Sequence, residues 1–370
     1  MIAGKLPAED ETTLDWRSLV IDAAWRWPPL WRRLKAVHPG YIALRCRLRR
    51  RPRLRWVQVE VTNGCNLACT MCGNRRGARE RGLMPSEVFL ERIAQIPDRS
   101  LHHIAMHAGG EPLLHPELEL FVHHARTKAR EVFISTNGLL FGRDAGMMRR
   151  LLDAGLTHIH FSAEGYDPET YEATRVGGHF NDFVANLALL RRVRDSAGSG
   201  AEIHLQYTLL RPFDAAEIHA ATAVFGPHVD EIEFRPLNNQ SRPEIVYRPD
   251  ERVAGVRCYR DEPLPCLALW CGLTVLWDGR VSVCPRDHTG DFVVGDRSTP
   301  IAAAWSGAAA RSFRAAHARD DPPGLCRTCS EPYASTLDMV ELNRTLHAIG
   351  GGGGCAGTPA LRGRETAAAQ

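Results

Sequence analysis

Residues 56–72 read Trp-Val-Gln-Val-Glu-Val-Thr-Asn-Gly-Cys-Asn-Leu-Ala-Cys-Thr-Met-Cys, an alternating apolar run that leads directly into three cysteines. The alternation predicts a β-strand over Trp56–Val61. Cys65, Cys69 and Cys72 follow on one short loop, so their thiolates can converge on one face of an iron–sulfur cluster. A four-iron cluster has four corners, and three protein ligands leave one iron open for a small chelating molecule. The alternative is a zinc site, but no fourth Cys or His follows Cys72 closely to complete it.

After this loop the chain alternates between short strand-like runs rich in Val, Ile and Phe and helix-like stretches. The candidate strands are Trp56–Val61, His103–His107, Glu131–Ser135, His158–Ser162, Glu202–Thr208 and Glu231–Arg235. The candidate helices are Ser86–Ile96, Pro116–Lys128, Ala145–Ala154, Asn181–Asp195 and Ala215–Phe225. Strands separated by helices predict an α/β fold with a parallel sheet and helices outside it, either open or closed into a barrel.

Composition limits the range of functions. The chain has 370 residues, of which 44% are hydrophobic, so it can bury a sizeable core. The formal net charge is only +3, and we expect no nucleic-acid partner. No apolar run reaches the roughly 20 residues of a membrane span, and residues 1–13 lack the apolar stretch of a secretory signal. We therefore expect a cytoplasmic protein whose 11 cysteines are ligands or catalytic groups rather than disulfides.

We divide the chain into five parts on these patterns. Residues 1–55 form an Arg- and Trp-rich extension, either a helical prefix packed on the main domain or a surface that grips an acidic partner or a membrane. The barrel occupies 56–240 and a proline-containing linker occupies 241–265. A compact cysteine-rich domain at 266–335 is followed by a helix and a flexible, Gly-rich tail at 336–370.

The second cysteine group lies in the domain at 266–335. Trp277-Asp278-Gly279 predicts the turn of a hairpin whose flanking strands carry valines. Four thiolates can close an iron–sulfur site, and a four-cysteine zinc ribbon is the alternative. The four residues of this group are Cys266, Cys284, Cys326 and Cys329.

The Cys65–Cys72 spacing, directly after a first strand, resembles the radical S-adenosylmethionine (SAM) superfamily. Gly109-Gly110-Glu111-Pro112, after the second strand, resembles that family's glycine-glycine-glutamate motif. The resemblance implies that Gly109 and Gly110 allow close backbone approach to SAM and that the motif with Glu111 holds the methionine amino group. Glycine permits such close contact because it has no Cβ.

Other positions near the ends of the later strands resemble the family's SAM site. Ser135-Thr-Asn137-Gly resembles the polar end of its third strand, near the SAM ribose. Ser162-Ala-Glu164-Gly resembles a Ser-x-Asp-Gly motif in which Glu replaces Asp, and Arg175 follows at a spacing that suits a SAM carboxylate partner. Met71 takes a place often filled by an aromatic residue beside the adenine.

Residues 266–335 resemble the SPASM/twitch extension of radical SAM enzymes. No cysteine follows Cys329 before Cys355, which favours the shorter twitch form with one auxiliary 4Fe–4S cluster. The whole resemblance covers about residues 56–335 and implies a partial (β/α)6 barrel followed by a small cysteine-rich domain. It also implies SAM and a 4Fe–4S cluster at Cys65, Cys69 and Cys72.

The implied activity is generation of a 5′-deoxyadenosyl radical that removes a hydrogen atom from an unactivated carbon. We expect an oxidoreductase that dehydrogenates a small sugar- or cyclitol-like natural-product intermediate, with flavodoxin or ferredoxin as electron donor. Epimerisation of such a substrate and maturation of a ribosomal peptide are the alternatives, and a non-enzymatic iron–sulfur or zinc scaffold that binds a partner is a remote one. The side chains expected to meet substrate are Glu164, Gln206, Tyr207, Arg235 and Asn238.

Four other cysteines have no assigned cluster, and one of them, Cys355, is excluded as a ligand because it lies in the Gly-rich tail. Cys46 is interpreted as structural, whereas Cys258 and Cys271 are each either a core residue or a thiol that donates hydrogen to a substrate radical. Cys271 is the better placed candidate, because it lies five residues after Cys266. A thiol donor would favour epimerisation, whereas an auxiliary cluster that accepts an electron would favour oxidation.

Overall fold

The computed structural model describes residues 52–76, 79–210, 215–239, 252–253, 256–257, 263–333 and 336–349, with Trp27 and Leu30. The expectations for nearly all of the N-terminal extension, for most of the linker and for the Gly-rich tail lie outside these residues. So do those for Cys46, Cys258 and Cys355.

The described chain alternates strands and helices as expected. The strands are β1 (Trp56–Val59), β2 (Leu101–Ala105), β3 (Ala129–Thr136), β4 (His158–Ala163), β5 (Glu202–Leu209), β6 (Glu231–Pro236), β7 (Arg252–Val253), β8 (Val256–Arg257), β9 (Gly272–Val275), β10 (Val281–Ser282) and β11 (Val293–Gly295). The helices are α1 (Ser86–Ala94), α2 (Leu118–Lys128), α3 (Ala145–Asp153), α4 (Pro168–Thr174), α5 (Phe180–Ser196), α6 (Ala215–Phe225), α7 (Ala268–Cys271), α8 (Ile301–Ser306), α9 (Ala308–Ala318) and α10 (Thr336–Ile349). None of them is both long and apolar enough to cross a bilayer.

One sheet contains strands from both the barrel segment and the cysteine-rich segment. Its strand order is β11-β10-β9-β1-β2-β3-β4-β5-β6, and β1 to β6 pair with their neighbours in parallel. The predicted six-stranded partial barrel is thus confirmed, with a helix in each crossover as parallel pairing requires. Because all six strands run the same way, their carboxyl ends meet at one rim of the barrel.

The cysteine-rich segment does not build a separate sheet. β9 pairs in parallel with β1 over four residues, from Trp56↔Gly272 to Val59↔Val275. A side chain at Gly272 would collide with the Trp56 ring, since an added Cβ would lie 2.1 Å from it. β10 and β11 then extend the sheet in antiparallel fashion.

The two faces of the barrel strands differ in burial. In β4 the residues Ile159, Phe161 and Ala163 are fully buried and belong to the core, whereas His158, His160 and Ser162 between them are partly exposed. The buried face packs under the helices; Phe161, for example, meets Phe183 of α5 edge to face. The other face is lined by polar and aromatic side chains and forms the barrel lumen.

The C-terminal helix α10 covers the edge strand of the sheet. Asn343 Oδ1 accepts from the Phe234 N–H at 2.7 Å, and Asn343 Nδ2 donates to the Phe234 carbonyl at 3.0 Å. One side chain therefore satisfies both backbone groups of Phe234 at the open edge of β6, where an uncovered strand would invite pairing with another chain.

Asn343→Ala should destabilise the protein by about 1–3 kcal/mol, because it leaves these two backbone groups unpaired. Asn343→Asp keeps the acceptor for the Phe234 N–H and should lose less. Thermal unfolding of the cluster-loaded chains measures the difference. If Asn343→Ala melts at the wild-type temperature, the helix does not support the edge in this way.

Candidate active site

The loop that carries Cys65, Cys69 and Cys72 starts at the carboxyl end of β1. At least part of each of these three residues is exposed. Behind the loop, Asn74 Nδ2 donates to the Asn63 carbonyl at 2.8 Å, and Arg81 donates to Asn74 Oδ1 at 2.7 Å. The loop is therefore held from inside before any metal binds.

A second segment fixes the loop from the outside. The Ala68 N–H donates to the Val176 carbonyl and the Thr70 N–H donates to the Thr174 carbonyl, each at 2.9 Å. The cysteine loop and residues 174–176 thus run side by side, which brings Arg175 into the electrostatic environment of Cys65 and Cys69.

Arg175 forms a buried, two-pronged ion pair with Glu164. Its Nη2 lies 2.9 Å from Glu164 Oε1, and its Nε also donates to Glu164 Oε2. Burial alone would lower the pKa of Arg175, but Glu164 and the nearby Cys69 raise it overall. The structure therefore pairs two residues that the sequence analysis assigned separately to the SAM site.

Two of the three thiols are not preformed thiolates. Burial raises the pKa of Cys65, and it raises the pKa of Cys69 to about 11 against the opposing charge of Arg175. These two thiols are consequently protonated near neutral pH, and metal binding would displace their protons.

Glu111 joins the ends of β2 and β3. Its carboxylate accepts from Thr136 Oγ1 at 2.6 Å, from the Asn137 N–H at 2.8 Å and from the Leu113 N–H at 3.1 Å. Burial raises the pKa of Glu111, while these three donors oppose the rise. In this structure the carboxylate expected to hold the SAM amino group is bonded to the protein's own loops.

Two further expected positions lie at the same rim. Asn137 Nδ2 donates to Asn66 Oδ1 inside the cysteine loop at 2.9 Å, and Ser162 Oγ lies 3.4 Å from Ser135 Oγ. Met71 is half-buried within the loop itself. The structure thus gathers the residues expected for the SAM site at the carboxyl rim.

Gly109 and Gly110 pack against the segment that precedes Cys65. A Cβ at Gly110 would lie 2.3 Å from the Gly64 carbonyl oxygen and 2.5 Å from that of Thr62. A Cβ at Gly109 would lie 2.9 Å from Glu60 Oε1. The glycines are required by this contact between the ends of β1 and β2, in addition to any approach of a ligand.

A row of stacked rings crosses the lumen from β1 to β5. Trp56 and His103 stack at 6.0 Å, Phe133 and His160 at 4.8 Å, and His160 and His204 at 5.1 Å between ring centroids. His103 and Phe133 are 5.3 Å apart and connect the two halves. The sequence analysis missed this row, although histidines at alternate positions of β4 were a visible signal.

The lumen histidines are not equivalent. Burial lowers the pKa of His103 and of His107 to about 4, so both rings are neutral at physiological pH. Burial also lowers the pKa of His160 strongly. His204 is the exception: burial alone would lower its pKa, but the 2.8 Å contact with Glu202, together with the charges of Glu231 and Glu233, raises it overall.

The expected substrate-facing residues divide between the two faces of the sheet. Gln206 lies in the lumen, with its Nε2 2.8 Å from His160 Nδ1. Arg235 is near His107, and its Nε lies 2.8 Å from Glu233 Oε1. The expectation for Tyr207 was wrong, because the ring is fully buried on the outer face and its hydroxyl donates to Glu217 Oε1 at 3.0 Å.

The four cysteines of the second group come together beside the lumen. Cys266, Cys284 and Cys329 influence one another electrostatically, as do Cys326 and Cys329. Burial raises the pKa of Cys326 to about 12 and also raises the pKa values of Cys266 and Cys284. These three thiols, like Cys65 and Cys69, require a metal to lose their protons near neutral pH.

Arg286 stands between this group and the lumen. Its Nη1 pairs with Glu331 Oε2 at 2.9 Å, and the same oxygen accepts from Asn238 Nδ2 at 2.7 Å. Arg286 also influences His107, so the auxiliary site borders the lumen. Asn238 is thereby placed on the auxiliary side rather than at the SAM rim.

The spacing of the sulfurs can be compared with the frames of a zinc site and of an iron–sulfur cluster. Zn–S bonds of about 2.3 Å in a tetrahedron put the sulfurs only about 3.8 Å apart. Among the described residues, neither cysteine group contains three sulfurs that all lie within 4.8 Å of one another. The wider spacing fits the larger frame of a cubane cluster.

Cys271 lies away from the carboxyl rim. It ends α7, immediately before Gly272, which pairs with Trp56 at the amino end of β1. Its sulfur donates to the Leu267 carbonyl at 2.9 Å and is hydrogen-bonded by Trp56. Cys65 follows the carboxyl end of β1, so more than the length of that strand separates it from Cys271.

Two family models match the chain. A model of the radical SAM superfamily covers residues 59–210, and one of SPASM, an iron–sulfur cluster-binding domain, covers residues 266–330. The first region contains the cysteine loop and the carboxyl rim described above. The second contains all four auxiliary cysteines.

Individual proteins agree with these matches. The PqqA peptide cyclase of Granulibacter bethesdensis is 27% identical over 307 residues, which cover 73% of this chain and 78% of that protein. SuiB of Streptococcus suis, bound to the precursor peptide SuiA, superposes with a TM-score of 0.56 at 10% identity, over 78% of this chain and 73% of that one. BtrN in complex with AdoMet and 2-DOIA gives a TM-score of 0.50 at 19% identity, over 76% of this chain and 94% of that one. The two structural likenesses show the fold alone.

Gly110→Ala should prevent the backbone contact between the ends of β1 and β2, because its Cβ would meet two backbone oxygens at 2.3 and 2.5 Å. We expect the variant to lose most of the first cluster, about four irons per chain. Gly200→Ala is the matched control, since no atom lies within 4 Å of its added Cβ. Iron analysis after anaerobic reconstitution measures both. Wild-type iron content in Gly110→Ala would contradict this account of the contact.

Proposed function

Since the chain belongs to the radical SAM superfamily and carries a SPASM-type iron–sulfur domain, we propose that it oxidises a carbon of a substrate held in the barrel lumen. The observation that carries the proposal is the position of the two cysteine groups. One lies at the carboxyl rim of the lumen, and the other borders it through Arg286.

In the proposed mechanism, Cys65, Cys69 and Cys72 hold the first 4Fe–4S cluster, reduced by an external flavodoxin or ferredoxin. When bound there, the cluster and SAM supply a 5′-deoxyadenosyl radical, which removes a hydrogen atom from carbon. We propose that Gly109, Gly110 and the polar rim residues orient SAM. Those residues are Met71, Glu111, Asn137, Ser162 and Arg175. The burial of Glu111, Asn137 and Arg175 would keep water from the reacting atoms.

The lumen side chains would position the substrate and limit side reactions. The stacked rings give flat, largely apolar walls, and the neutral imidazoles of His103 and His107 accept or donate hydrogen bonds without adding charge. Arg235 and Gln206 supply polar contacts along the later strands. In this proposal Arg235 is the residue that contacts substrate, whereas Glu164 acts through Arg175.

The number of auxiliary ligands supports net oxidation. Four cysteines fill all four corners of a 4Fe–4S cluster, so no iron is left for substrate to bind. A cluster held there supplies an electron acceptor next to the lumen. Arg286, paired with Glu331, would offset the negative charge of the thiolates. Epimerisation would instead need a thiol donor, and Cys271 lies at the amino end of β1.

We propose a peptide as the substrate, in place of the small sugar- or cyclitol-like molecule that the sequence favoured. The support is that the relative matching 73% of the chain is a PqqA peptide cyclase. A small molecule remains the second candidate, because the fold also resembles BtrN over 94% of that chain.

The chain with Cys65, Cys69 and Cys72 all replaced by Ala should retain about four irons, from the auxiliary cluster alone. It should form no 5′-deoxyadenosine, because no ligand set for the first cluster remains. Cys271→Ala is the matched control and should keep both iron complement and SAM cleavage. The assay is anaerobic reconstitution followed by chromatography of the nucleoside product. Formation of 5′-deoxyadenosine by the triple variant would refute the proposed site.

Turnover in deuterated water distinguishes oxidation from epimerisation. Oxidation predicts a product two mass units lighter than the substrate, with no solvent deuterium at the reacting carbon, and Cys271→Ala should remain active. The measurement is mass spectrometry of the product from peptide and small-molecule candidates. Deuterium at that carbon, lost in Cys271→Ala, would establish Cys271 as the hydrogen donor instead.

A further inference from the structure

A third group of side chains with metal-ligand chemistry, besides the two cysteine groups, lies at the opposite end of the barrel from the cysteine loop. His102 and His103 are near the start of β2, and Glu131 is near the start of β3. One ligand atom from each residue falls within 4.8 Å of the other two. Among the described residues, this is the only group of three or more Cys, His, Asp or Glu side chains with such spacing.

The distances within the group match the coordination sphere of one small ion. His102 Nδ1 lies 3.4 Å from His103 Nδ1 and 3.6 Å from Glu131 Oε2. Zinc bonds to nitrogen and oxygen of about 2.1 Å put the ligand atoms of a tetrahedron about 3.4 Å apart. Among the described residues, neither cysteine group meets this spacing.

The surrounding structure holds one of the rings in place. His103 is packed between Trp56, at a centroid distance of 6.0 Å, and Phe133, at 5.3 Å. His103 and Glu131 face each other in the register of β2 and β3. Two of the three ligands are therefore placed by the sheet itself, and only the His102 side chain must adjust.

The group is open to solvent on its outer side. The His102 side chain is 57% exposed and that of Glu131 is 38% exposed, so an ion can enter without unfolding the barrel. Two imidazoles and one carboxylate form the mixed nitrogen and oxygen set that suits zinc and similar transition metals. Three protein ligands leave a fourth position for water.

We propose that His102, His103 and Glu131 bind one zinc ion, which links β2 to β3 at the amino end of the barrel. The site is distinct from both iron–sulfur sites. The alternative explanation for the 3.4 Å contact is a hydrogen bond between the two imidazoles, which requires no metal.

Zinc binding to the cluster-loaded chain, prepared without a histidine tag, tests the proposal. Equilibrium dialysis against zinc, followed by metal analysis, should find one zinc per chain in addition to the iron. His102→Ala and Glu131→Gln each remove one ligand at an exposed position. Loss of even a supporting partner of a metal ligand weakens binding about 10–100-fold, so we expect at least about tenfold weaker binding in each variant.

His123→Ala, at an exposed position of α2, is the matched control and should bind zinc as the wild type does. Equal melting temperatures of all four proteins without zinc establish that the variants are folded. Two results would overturn the proposal. One is the absence of stoichiometric zinc in the wild type, which would support the imidazole hydrogen bond. The other is equal zinc affinity in the wild type and the two ligand variants.

Discussion

The ends of β1 and β2 are joined at Gly110 by a contact between backbones that leaves no room for a side chain. Immediately beyond it, the Glu111 N–H donates to the Gly64 carbonyl at 2.8 Å, one residue before Cys65. The Glu111 carboxylate then binds Thr136 and the Asn137 N–H at the end of β3. Three strand ends are thereby tied to the start of the cysteine loop, and the geometry of the proposed SAM site depends on that connection.

The pairing of β9 with β1 has a comparable effect on the second cysteine group. It makes the cysteine-rich segment a continuation of the barrel sheet rather than a separately hinged domain. Gln58 Nε2, in β1, donates to the Pro285 carbonyl at 2.8 Å, next to Cys284. The distance between the two cysteine groups is therefore fixed by the pairing of β1 with β9. A fixed distance suits chemistry that needs both cysteine groups.

Local patterns allowed much of the fold and site to be predicted. The valine alternation, the cysteine spacing and Gly109-Gly110 are short-range signals, and the structure places them as expected. Non-local contacts were not predictable: nothing near Gly272 indicates that it pairs with Trp56. Gln206 and Tyr207 show a second limit. β5 carries polar groups on both faces, so the sequence does not reveal which of these two adjacent residues faces the lumen. The replacement of Asp by Glu at position 164 likewise became interpretable only once its pair with Arg175 was seen.

The central claim is that the cluster at Cys65, Cys69 and Cys72 has one iron without a protein ligand, and that SAM binds there. The most direct measurement is electron–nuclear double resonance on the reduced, fully loaded protein with SAM labelled by ¹⁵N at its amino group. The account predicts a hyperfine coupling between that nitrogen and the cluster, because the amino group would bind the open iron. A cluster signal with no ¹⁵N coupling at saturating SAM would contradict it.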